Sequence, residues 1–316
     1  MEELQGLSKE VNDEIVALGF QPIHKAVDQC YANTIAGKKG ERFVFPTKWK
    51  KLNGLLLGGL QPGKMYVIAG RPGSGKSAFS NKMLFDMLEH PKNNGRLIVL
   101  YWSFEMPGYQ QLMRIGSSNI GKKMSELLSV DTEFQDLHFE QFIKSMNPYK
   151  KYPIYFNNNA KDITYVNKVT RRIASLNPDK IIINLFDHSR LFKKKKEESE
   201  LQMLTDLSHT CIELQQYTNC ITVLLSQLNR NIESNERAAN LYQPMLSDLF
   251  GADSIGQDAH VVMIINRPYD MYDITVPYCG QNPKGLLAIH VEKNRDGELG
   301  MLPFNCDMSK FTIEER

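Results

Sequence analysis

The chain has 316 residues, 42% of them hydrophobic and 23% charged, which is enough for one large folded domain with an appendage and excludes a disordered protein. Basic residues exceed acidic residues by two, so the net charge neither requires nor excludes a nucleic-acid partner. The acidic N-terminus is not typical of a secretory signal, no apolar run reaches the ~20 residues of a membrane span, and the five scattered cysteines have no metal-site spacing. We therefore expect a cytoplasmic protein with reduced thiols and no membrane partner.

The first part of the chain is predicted to be a helical appendage. Residues 7–36 have apolar side chains at helical spacing, and a polar, basic stretch follows them. We expect linker or oligomerisation helices over residues 1–36, a linker over 37–51 and one main domain over 52–316. An amphipathic stripe must be buried, and its spacing does not decide between a neighbouring subunit and the chain's own domain.

Short apolar runs alternate with helical segments through the main domain. This pattern predicts an α/β fold with a twisted, mostly parallel sheet covered by helices on both faces. Two further runs, residues 286–292 and 299–304, flank Asp296-Gly297, which is the strongest short signal for a tight antiparallel hairpin turn. The predicted strands of the parallel part are residues 65–69, 97–102, 153–157, 181–186, 220–226 and 260–265.

A phosphate-binding loop is predicted directly after the first strand. The sequence GRPGSGKS at residues 70–77 fits G-x-x-x-x-G-K-[ST] in full and precedes an apolar-striped helix. Backbone N–H groups at such a helix N-terminus wrap an anionic phosphate, so ATP with Mg²⁺ is the predicted ligand. A glycine-rich turn without a ligand is the alternative, which the complete motif and its flanks disfavour. The predicted nucleotide-binding residues are Gly70, Arg71, Pro72, Gly73, Ser74, Gly75, Lys76, Ser77 and Ala78.

Three polar residues end apolar strands. Glu105, Asp187 and Gln227 each stand at or just past a strand end, where an open α/β sheet binds its ligands. This position suits Glu105 for proton transfer, Asp187 for the metal together with Ser77, and Gln227 for hydrogen bonding to a γ-phosphate. Each also has an ordinary alternative: a helix N-terminal glutamate, a turn aspartate and a glutamine that merely ends a strand.

Five strings in chain order carry a family resemblance. They are GGLQPG (58–63), SFEMPGYQQLMR (103–114), LSQLNR (225–230), SDLFGADSIGQDAH (247–260) and KNRDGELG (293–300). Together they resemble the RecA-like motor domain of DnaB-type replicative hexameric helicases, phage members included, over about residues 52–308. The resemblance implies a RecA-like P-loop NTPase fold and does not extend to the usual N-terminal domain of the family.

The resemblance also implies roles for individual residues. It makes Glu105 the general base and Gln227 the γ-phosphate sensor, and it places Arg114 near the phosphates. It further implies that Lys293 and Arg295 act on the ATP of a neighbouring subunit, where a charge supplied from another chain couples hydrolysis to subunit motion. Without the resemblance, these two residues would be a solvated hairpin tip.

The DNA-binding residues depart from the family pattern. Its arginine, glutamate and glycine correspond to Phe250, Gly251 and Asp253, so the arginine is lost and a negative charge is added. Backbone N–H groups at Gly251 and Ala252 remain available to phosphate, and Phe250 is able to stack on a base. Further candidates for DNA contact are Arg230 and the run Lys193, Lys194, Lys195 and Lys196, which is otherwise a solvated charge run.

The implied function is an ATP-driven DNA helicase. The resemblance predicts a homo-oligomer, a hexamer, that translocates 5′ to 3′ on single-stranded DNA in a bacterial or phage-infected cell. A primase and a helicase loader are candidate partners, and no residue selects one of them. Two alternatives remain: a loader or scaffold that does not unwind DNA, and a RecA-type recombinase, which would form a filament rather than a ring.

Overall fold

A computed structural model describes residues 8–128, 136–159, 162–187, 192, 199–250 and 252–316, and the chain divides into two compact units, Met1–Phe43 and Val44–Arg316. In the first unit, helices α1 (Lys9–Ala17) and α2 (Ile23–Lys39) are described, and neither contains a buried residue. Ser8 caps α1 by accepting a hydrogen bond from the N–H of Val11 at 3.4 Å. None of the described helices has the length and apolar content needed to cross a bilayer.

The second unit is built on a sheet of nine strands. Its order is β3-β2-β4-β5-β1-β6-β7-β8-β9, with parallel pairing from β3 to β6 and antiparallel pairing from β6 to β9. This topology confirms the predicted mostly parallel sheet and its antiparallel end. The strands are β1 (Met65–Gly70), β2 (Leu97–Ser103), β3 (Ile154–Asn157), β4 (Ile181–Asp187), β5 (Ile221–Gln227), β6 (Val261–Asn266), β7 (Leu286–Asn294), β8 (Gly300–Asp307) and β9 (Thr312–Glu315).

Helices cover both faces of this sheet. Along β1, Tyr66 and Ile68 face a cluster that includes α4, while Met65 and Val67 face a second cluster that includes α9. Successive residues of a strand point to opposite faces, so a continuous apolar strand requires cover on both sides. The helices of this unit are α3 (Lys50–Leu55), α4 (Lys76–Glu89), α5 (Gly108–Ile120), α6 (Met124–Leu128), α7 (Asp136–Met146), α8 (Ile163–Leu176), α9 (Glu200–Thr218) and α10 (Pro268–Tyr272).

A buried amide interrupts the apolar strand β4. Asn184 is fully buried, and its side-chain oxygen accepts hydrogen bonds from Trp102 Nε1 and Thr170 Oγ1, both at 3.1 Å. A buried polar group is tolerated when it is hydrogen-bonded. Asn184 therefore ties β4 to the neighbouring strand and to α8.

The structure divides the chain between Phe43 and Val44, within the stretch expected to be a linker. Of the expected linker, residues 37–51, the part from Val44 onward belongs to the compact second unit. Phe45 and Trp49 are buried there, and α3 begins at Lys50. The ring of Trp49 stacks on that of Phe79 with centroids 4.8 Å apart. The apolar residues of this stretch, Phe43-Val44-Phe45 and Trp49, are too few to set a helical or strand period, so the pattern did not reveal the burial.

The prediction of a tight turn at Asp296-Gly297 is wrong. Pairing between β7 and β8 ends at Val291 and Gly300, and residues 292–299 lie between these two positions. Beyond Val291, strand β7 continues alone against β6, where Lys293 pairs with Val262. The hairpin itself is confirmed, but its connection is a longer loop.

Packing of the loop explains the Asp-Gly pair. The carboxylate of Asp296 forms an ion pair with Lys64. A Cβ added at Gly297 would lie 2.7 Å from the carbonyl oxygen of Leu55 and 2.5 Å from Asn294 Nδ2, so glycine is required for close approach rather than for a turn. Asn294 Nδ2 also donates to Leu55 O at 2.9 Å. The loop is therefore docked against α3.

Candidate active site

The phosphate-binding loop connects β1 to α4 as predicted. Gly73 and Gly75 have φ angles of 77° and 101°, a conformation that favours glycine, and Gly75 is the N-cap of α4. Lys76 Nζ donates to the carbonyl oxygens of Gly70 and Arg71 at 2.8 and 3.0 Å. The ammonium is thus folded over the loop, within the cradle that the motif offers to phosphate oxygens.

Ser77 and Asp187, the predicted metal ligands, lie together beside this loop and form what we call the Ser77–Asp187 pair. The Ser77 hydroxyl is hydrogen-bonded to the carboxylate of Asp187, which is buried at the end of β4. Among the described residues, no group of three or more His, Cys, Asp or Glu side chains has the arrangement of a metal site. Mg²⁺ bound with a nucleotide needs only one or two protein ligands, because phosphate and water oxygens supply the others. Ser77 and Asp187 fit that donor set.

The two buried charges have displaced pKa values. Burial lowers the pKa of Lys76 to about 8, against the opposing charges of Asp187 and Glu105. Burial raises the pKa of Asp187 to about 6, with Glu105 acting in the same direction and Ser77, Lys76 and Arg114 acting against it. In both groups burial disfavours the charged form, so each charge is stabilised when an opposite charge lies beside it.

The charges of Glu105 and Arg114 both act on the carboxyl group of Asp187. Glu105 follows β2, is exposed, and raises the pKa values of Lys76 and Asp187. The guanidinium of Arg114 lies 5.0 Å above the ring centroid of Phe311 and lowers the pKa of Asp187. Two strands and helix α5 therefore bring these predicted residues to one edge of the sheet.

Gln227 and Arg71 connect the loop to the next strand end. Gln227 is the register partner of Gly70, which is the first residue of the motif. Arg71 donates to Leu228 O at 3.0 Å and forms an ion pair with Glu233 at 2.6 Å. Sequence reasoning missed Glu233, since a lone glutamate in a polar stretch carries no pattern.

A buried polar network, which sequence reasoning also missed, adjoins Asp187 of the Ser77–Asp187 pair. Tyr101 OH donates to Asn81 Oδ1 at 2.8 Å, and Asn81 Nδ2 donates to Gln111 Oε1 at 2.5 Å. Gln111 Nε2 lies 3.4 Å from Asp187 Oδ2, and Tyr101 OH lies 3.5 Å from the same oxygen. Asn81 follows Ser77 by one helical turn and Gln111 precedes Arg114 by three residues, which is the only sequence signal for either residue.

The two basic residues of the hairpin contact their own chain. Lys293 Nζ donates to the carbonyl oxygens of Gly256 and Gln257 at 2.8 and 2.6 Å. Arg295 Nη2 donates to Gln257 O at 2.6 Å, with Asp258 O at 3.5 Å. Their part in a neighbouring subunit's site stays a prediction, and in this structure both cations hold carbonyls at the end of a short helical turn.

The structure describes only some of the residues predicted to bind DNA. Phe250 is half-buried and packs against the cluster beneath the sheet, while Ala252 and Asp253 open the π-helical turn Ala252–Gly256. Arg230 is exposed and begins the 3₁₀ turn Arg230–Glu233. Gly251 and the lysines Lys193, Lys194, Lys195 and Lys196 lie outside the described residues.

Comparisons with known sequences place this site in a family context. Residues 45–313 match the family described as DnaB-like helicase C terminal domain. The chain is 26% identical over 273 residues to the replicative DNA helicase DnaB of Mycoplasma pneumoniae, across 82% of this chain and 55% of that protein. It is 31% identical over 261 residues to a probable plasmid replicative DNA helicase of Chlamydia psittaci, across 81% and 53%. The chain thus spans about half the length of these curated relatives.

Solved structures share the fold. The ATPase domain of G40P superposes with a TM-score of 0.81 at 20% identity, covering 94% of this chain and 99% of that domain. A DnaB-like replicative helicase, described with its interactions with primase, superposes with a TM-score of 0.79 at 21% identity, covering 95% and 69%. These similarities confirm the predicted RecA-like ATPase fold.

Proposed function

Because the chain belongs to the DnaB-like helicase C-terminal domain family, we propose that it is the ATP-hydrolysing motor of a replicative DNA helicase. The observation that carries this proposal is the convergence of Lys76, Ser77 and Asp187 at the ends of β1 and β4, with the charge of Glu105 acting on two of them. The relatives favour this function over the loader, scaffold and recombinase alternatives, because they are replicative helicases by name.

Each residue of the site has a part in hydrolysis. Lys76 turns from the Gly70 and Arg71 carbonyls to bind terminal phosphate oxygens, and Ser77 with Asp187 holds Mg²⁺. When bound, Mg²⁺ neutralises charge that develops on the phosphates. Glu105 accepts a proton from the attacking water, which its exposed position beside the buried pair allows.

The complete motor is a ring in which sites are shared. Lys293 and Arg295 act on the ATP of the neighbouring subunit, Arg114 stabilises phosphate charge, and Gln227 senses the γ-phosphate. Residues 1–36 contribute to oligomerisation, and the second unit, Val44–Arg316, is the motor. The ring is a hexamer that translocates 5′ to 3′ on single-stranded DNA in the cytoplasm of a bacterial or phage-infected cell.

DNA is held by the residues around Phe250 rather than by a family arginine. The candidate contacts are backbone N–H groups at Gly251 and Ala252, the Phe250 ring and the charge of Arg230, with Asp253 opposing phosphate. The run Lys193 to Lys196 is the second candidate for backbone contact. A primase is the candidate protein partner, in view of the primase interaction described for a structural neighbour, and a helicase loader is the other.

The experiment that tests this function measures single-strand DNA affinity against salt, with and without a non-hydrolysable ATP analogue, alongside ATP hydrolysis and duplex unwinding. We expect analogue-dependent binding that weakens steeply with salt. Lys76→Ala is expected to abolish hydrolysis and unwinding, whereas Lys168→Ala, an exposed residue of α8, leaves both unchanged. Absence of DNA binding at low salt would refute the helicase and favour the scaffold.

A further inference from the structure

The backbone at the end of the π-helical turn after Phe250 contacts two cationic side chains of the same chain, Lys293 and Arg295. Gly256, Gln257 and Asp258 present carbonyl oxygens to Lys293 and Arg295, with three of the four contacts at 2.6 to 2.8 Å. The last carbonyls of a helical turn have no partner within the turn, and cations are favoured there. We refer to residues 252–258 as the carbonyl segment.

The backbone that carries these cations is anchored independently of them. Asp296 forms an ion pair with Lys64, Asn294 donates to Leu55 O at 2.9 Å, and the N–H of Arg295 donates to His260 O at 3.0 Å. Such an arm holds its position while the long Lys293 and Arg295 side chains change partner. Any motion caused by that exchange therefore falls on the side chains and on the carbonyl segment.

The other end of the segment is tied to the chain's own nucleotide site. The N–H of Phe250 donates to the carbonyl oxygen of Gln227 at 3.0 Å, and Leu249 forms an isolated bridge with Leu228. Gln227 is the register partner of Gly70, at the start of the phosphate loop. Between the two ends, Ile255 is fully buried and Asp258 accepts a hydrogen bond from Ser208 at 2.6 Å.

We propose that Lys293 and Arg295 are positioning residues for the carbonyl segment of their own subunit, and that they release it when they turn to the ATP of the neighbouring subunit. The inference rests on the proposed trans role of these residues. Once they turn away, the carbonyls of Gly256 to Asp258 lose their charged donors, and the segment loosens at that end. The segment is then coupled to two nucleotides: its own through Gln227, and the neighbour's through Lys293 and Arg295.

This arrangement predicts a reciprocal effect. When the segment moves out of reach of Lys293 and Arg295, these two side chains become available to the neighbouring phosphate. Conversely, when the phosphate binds the two side chains, the segment is released. Since the segment begins two residues after Phe250, DNA that moves it would favour hydrolysis in the next subunit. Two cations with two mutually exclusive sets of acceptors are sufficient for this coupling.

Hydrogen–deuterium exchange of peptides covering residues 252–260 in the assembled protein tests the proposal. In wild type we expect a non-hydrolysable ATP analogue with Mg²⁺ to speed exchange about tenfold, the scale of losing hydrogen bonds to charged donors. The double variant Lys293→Met, Arg295→Met should exchange at the faster rate with and without analogue. Arg295→Lys, which keeps a cationic donor, should remain slow without analogue, and Arg172→Met on α8 is the matched control.

Two results would overturn the inference. One is unchanged exchange in wild-type rings that demonstrably bind the analogue, a comparison that needs no variant and so avoids any folding defect. The other is slow exchange in the nucleotide-free double variant with a normal thermal unfolding curve. Loss of ATP hydrolysis in Arg295 variants tests the proposed function instead, so the segment's role and the trans role are able to fail separately.

Discussion

Single side chains of the site are tuned chiefly by burial. Lys76 and Asp187 are displaced in opposite directions, to pKa values of about 8 and about 6, because each charge has lost water. Sequence reasoning identified both residues from their motif and strand positions. It could not identify Tyr101, Asn81 and Gln111, because their contacts join β2, α4 and α5 across the core and leave no local pattern.

The raised pKa of Asp187 predicts a pH-dependent Mg²⁺ requirement. Below about pH 6 the carboxyl is protonated and no longer attracts the cation, so the half-saturating Mg²⁺ concentration for ATP hydrolysis should rise as the pH falls, approaching tenfold per unit. Titrations at several pH values between 5 and 8 measure this. Asp187→Asn should need a high Mg²⁺ concentration at every pH and should keep only the smaller pH dependence that the phosphates of ATP contribute. A constant Mg²⁺ requirement in wild type would contradict the assignment.

Gln111→Leu is predicted to weaken Mg²⁺ binding by the Ser77–Asp187 pair, because Gln111 helps to hold Asp187 in place. It removes the amide 3.4 Å from Asp187 and leaves Asn81 Nδ2 without its acceptor. Loss of a group that holds a metal ligand in place typically lowers activity or metal affinity by about 10- to 100-fold. We therefore expect kcat to fall by about that factor and the half-saturating Mg²⁺ concentration to rise, with KM for ATP little changed. Gln110→Leu, the neighbouring residue on α5, is the control. Equal effects of the two substitutions would argue against a positioning role.

Among the elements, helix α3 is held at both ends by residues that lie far away in the sequence. The Glu315 carboxylate accepts hydrogen bonds from the N–H groups of Lys51 and Leu52, both at 3.0 Å, and Asn294 donates to Leu55 O at the other end. These contacts cap both ends of the helix. They join positions more than two hundred residues apart, so sequence reasoning predicted the strands involved without their docking.

Removal of the Glu315 cap should weaken the fold measurably. Glu315→Ala leaves two helix N–H groups without acceptors, and we expect the free energy of unfolding to fall by about 1 kcal/mol. Glu315→Gln keeps one acceptor oxygen and should lose less. Denaturant unfolding measures the difference, with the exposed Glu314→Ala as control. If all three variants unfold at the wild-type midpoint, the carboxylate does not cap α3.

Element prediction succeeded where periodicity is strong and failed where packing decides. Strand β1, from Met65 to Gly70, lies where the apolar run of residues 65–69 predicts it. The Asp-Gly pair, by contrast, gave a false turn. A side chain at Gly297 would collide with the carbonyl oxygen of Leu55, and this contact exists only in the folded chain, where α3 lies next to the loop.

At the scale of the whole molecule, the proposed action of Lys293 and Arg295 on a neighbour's ATP requires more than one subunit. Cations that reach a phosphate of another chain give a site that no single chain completes, and heterologous contacts of this kind close into rings. The exposed apolar residues of the first unit, such as Val27 and Tyr31 on α2, are suited to holding neighbours together.

Deletion of residues 1–43 tests that contribution. We expect the oligomer to dissociate into single motor units that keep nucleotide binding, because the nucleotide site lies wholly in the second unit. Light scattering across a concentration series measures the mass. An oligomer of unchanged size after the deletion would show that the motor units associate without the first unit.

Mixing two inactive variants tests the central claim, that the hairpin cations complete the ATP site of another subunit. Lys76→Ala lacks a working phosphate loop but supplies Arg295, whereas Arg295→Ala has the loop without the arginine. With equal amounts and free exchange of subunits, about one interface in four combines the intact halves, since each partner is drawn at even odds. We predict that ATP hydrolysis returns to about that fraction of wild type. No recovery, in rings shown by subunit labelling to be mixed, would contradict the account.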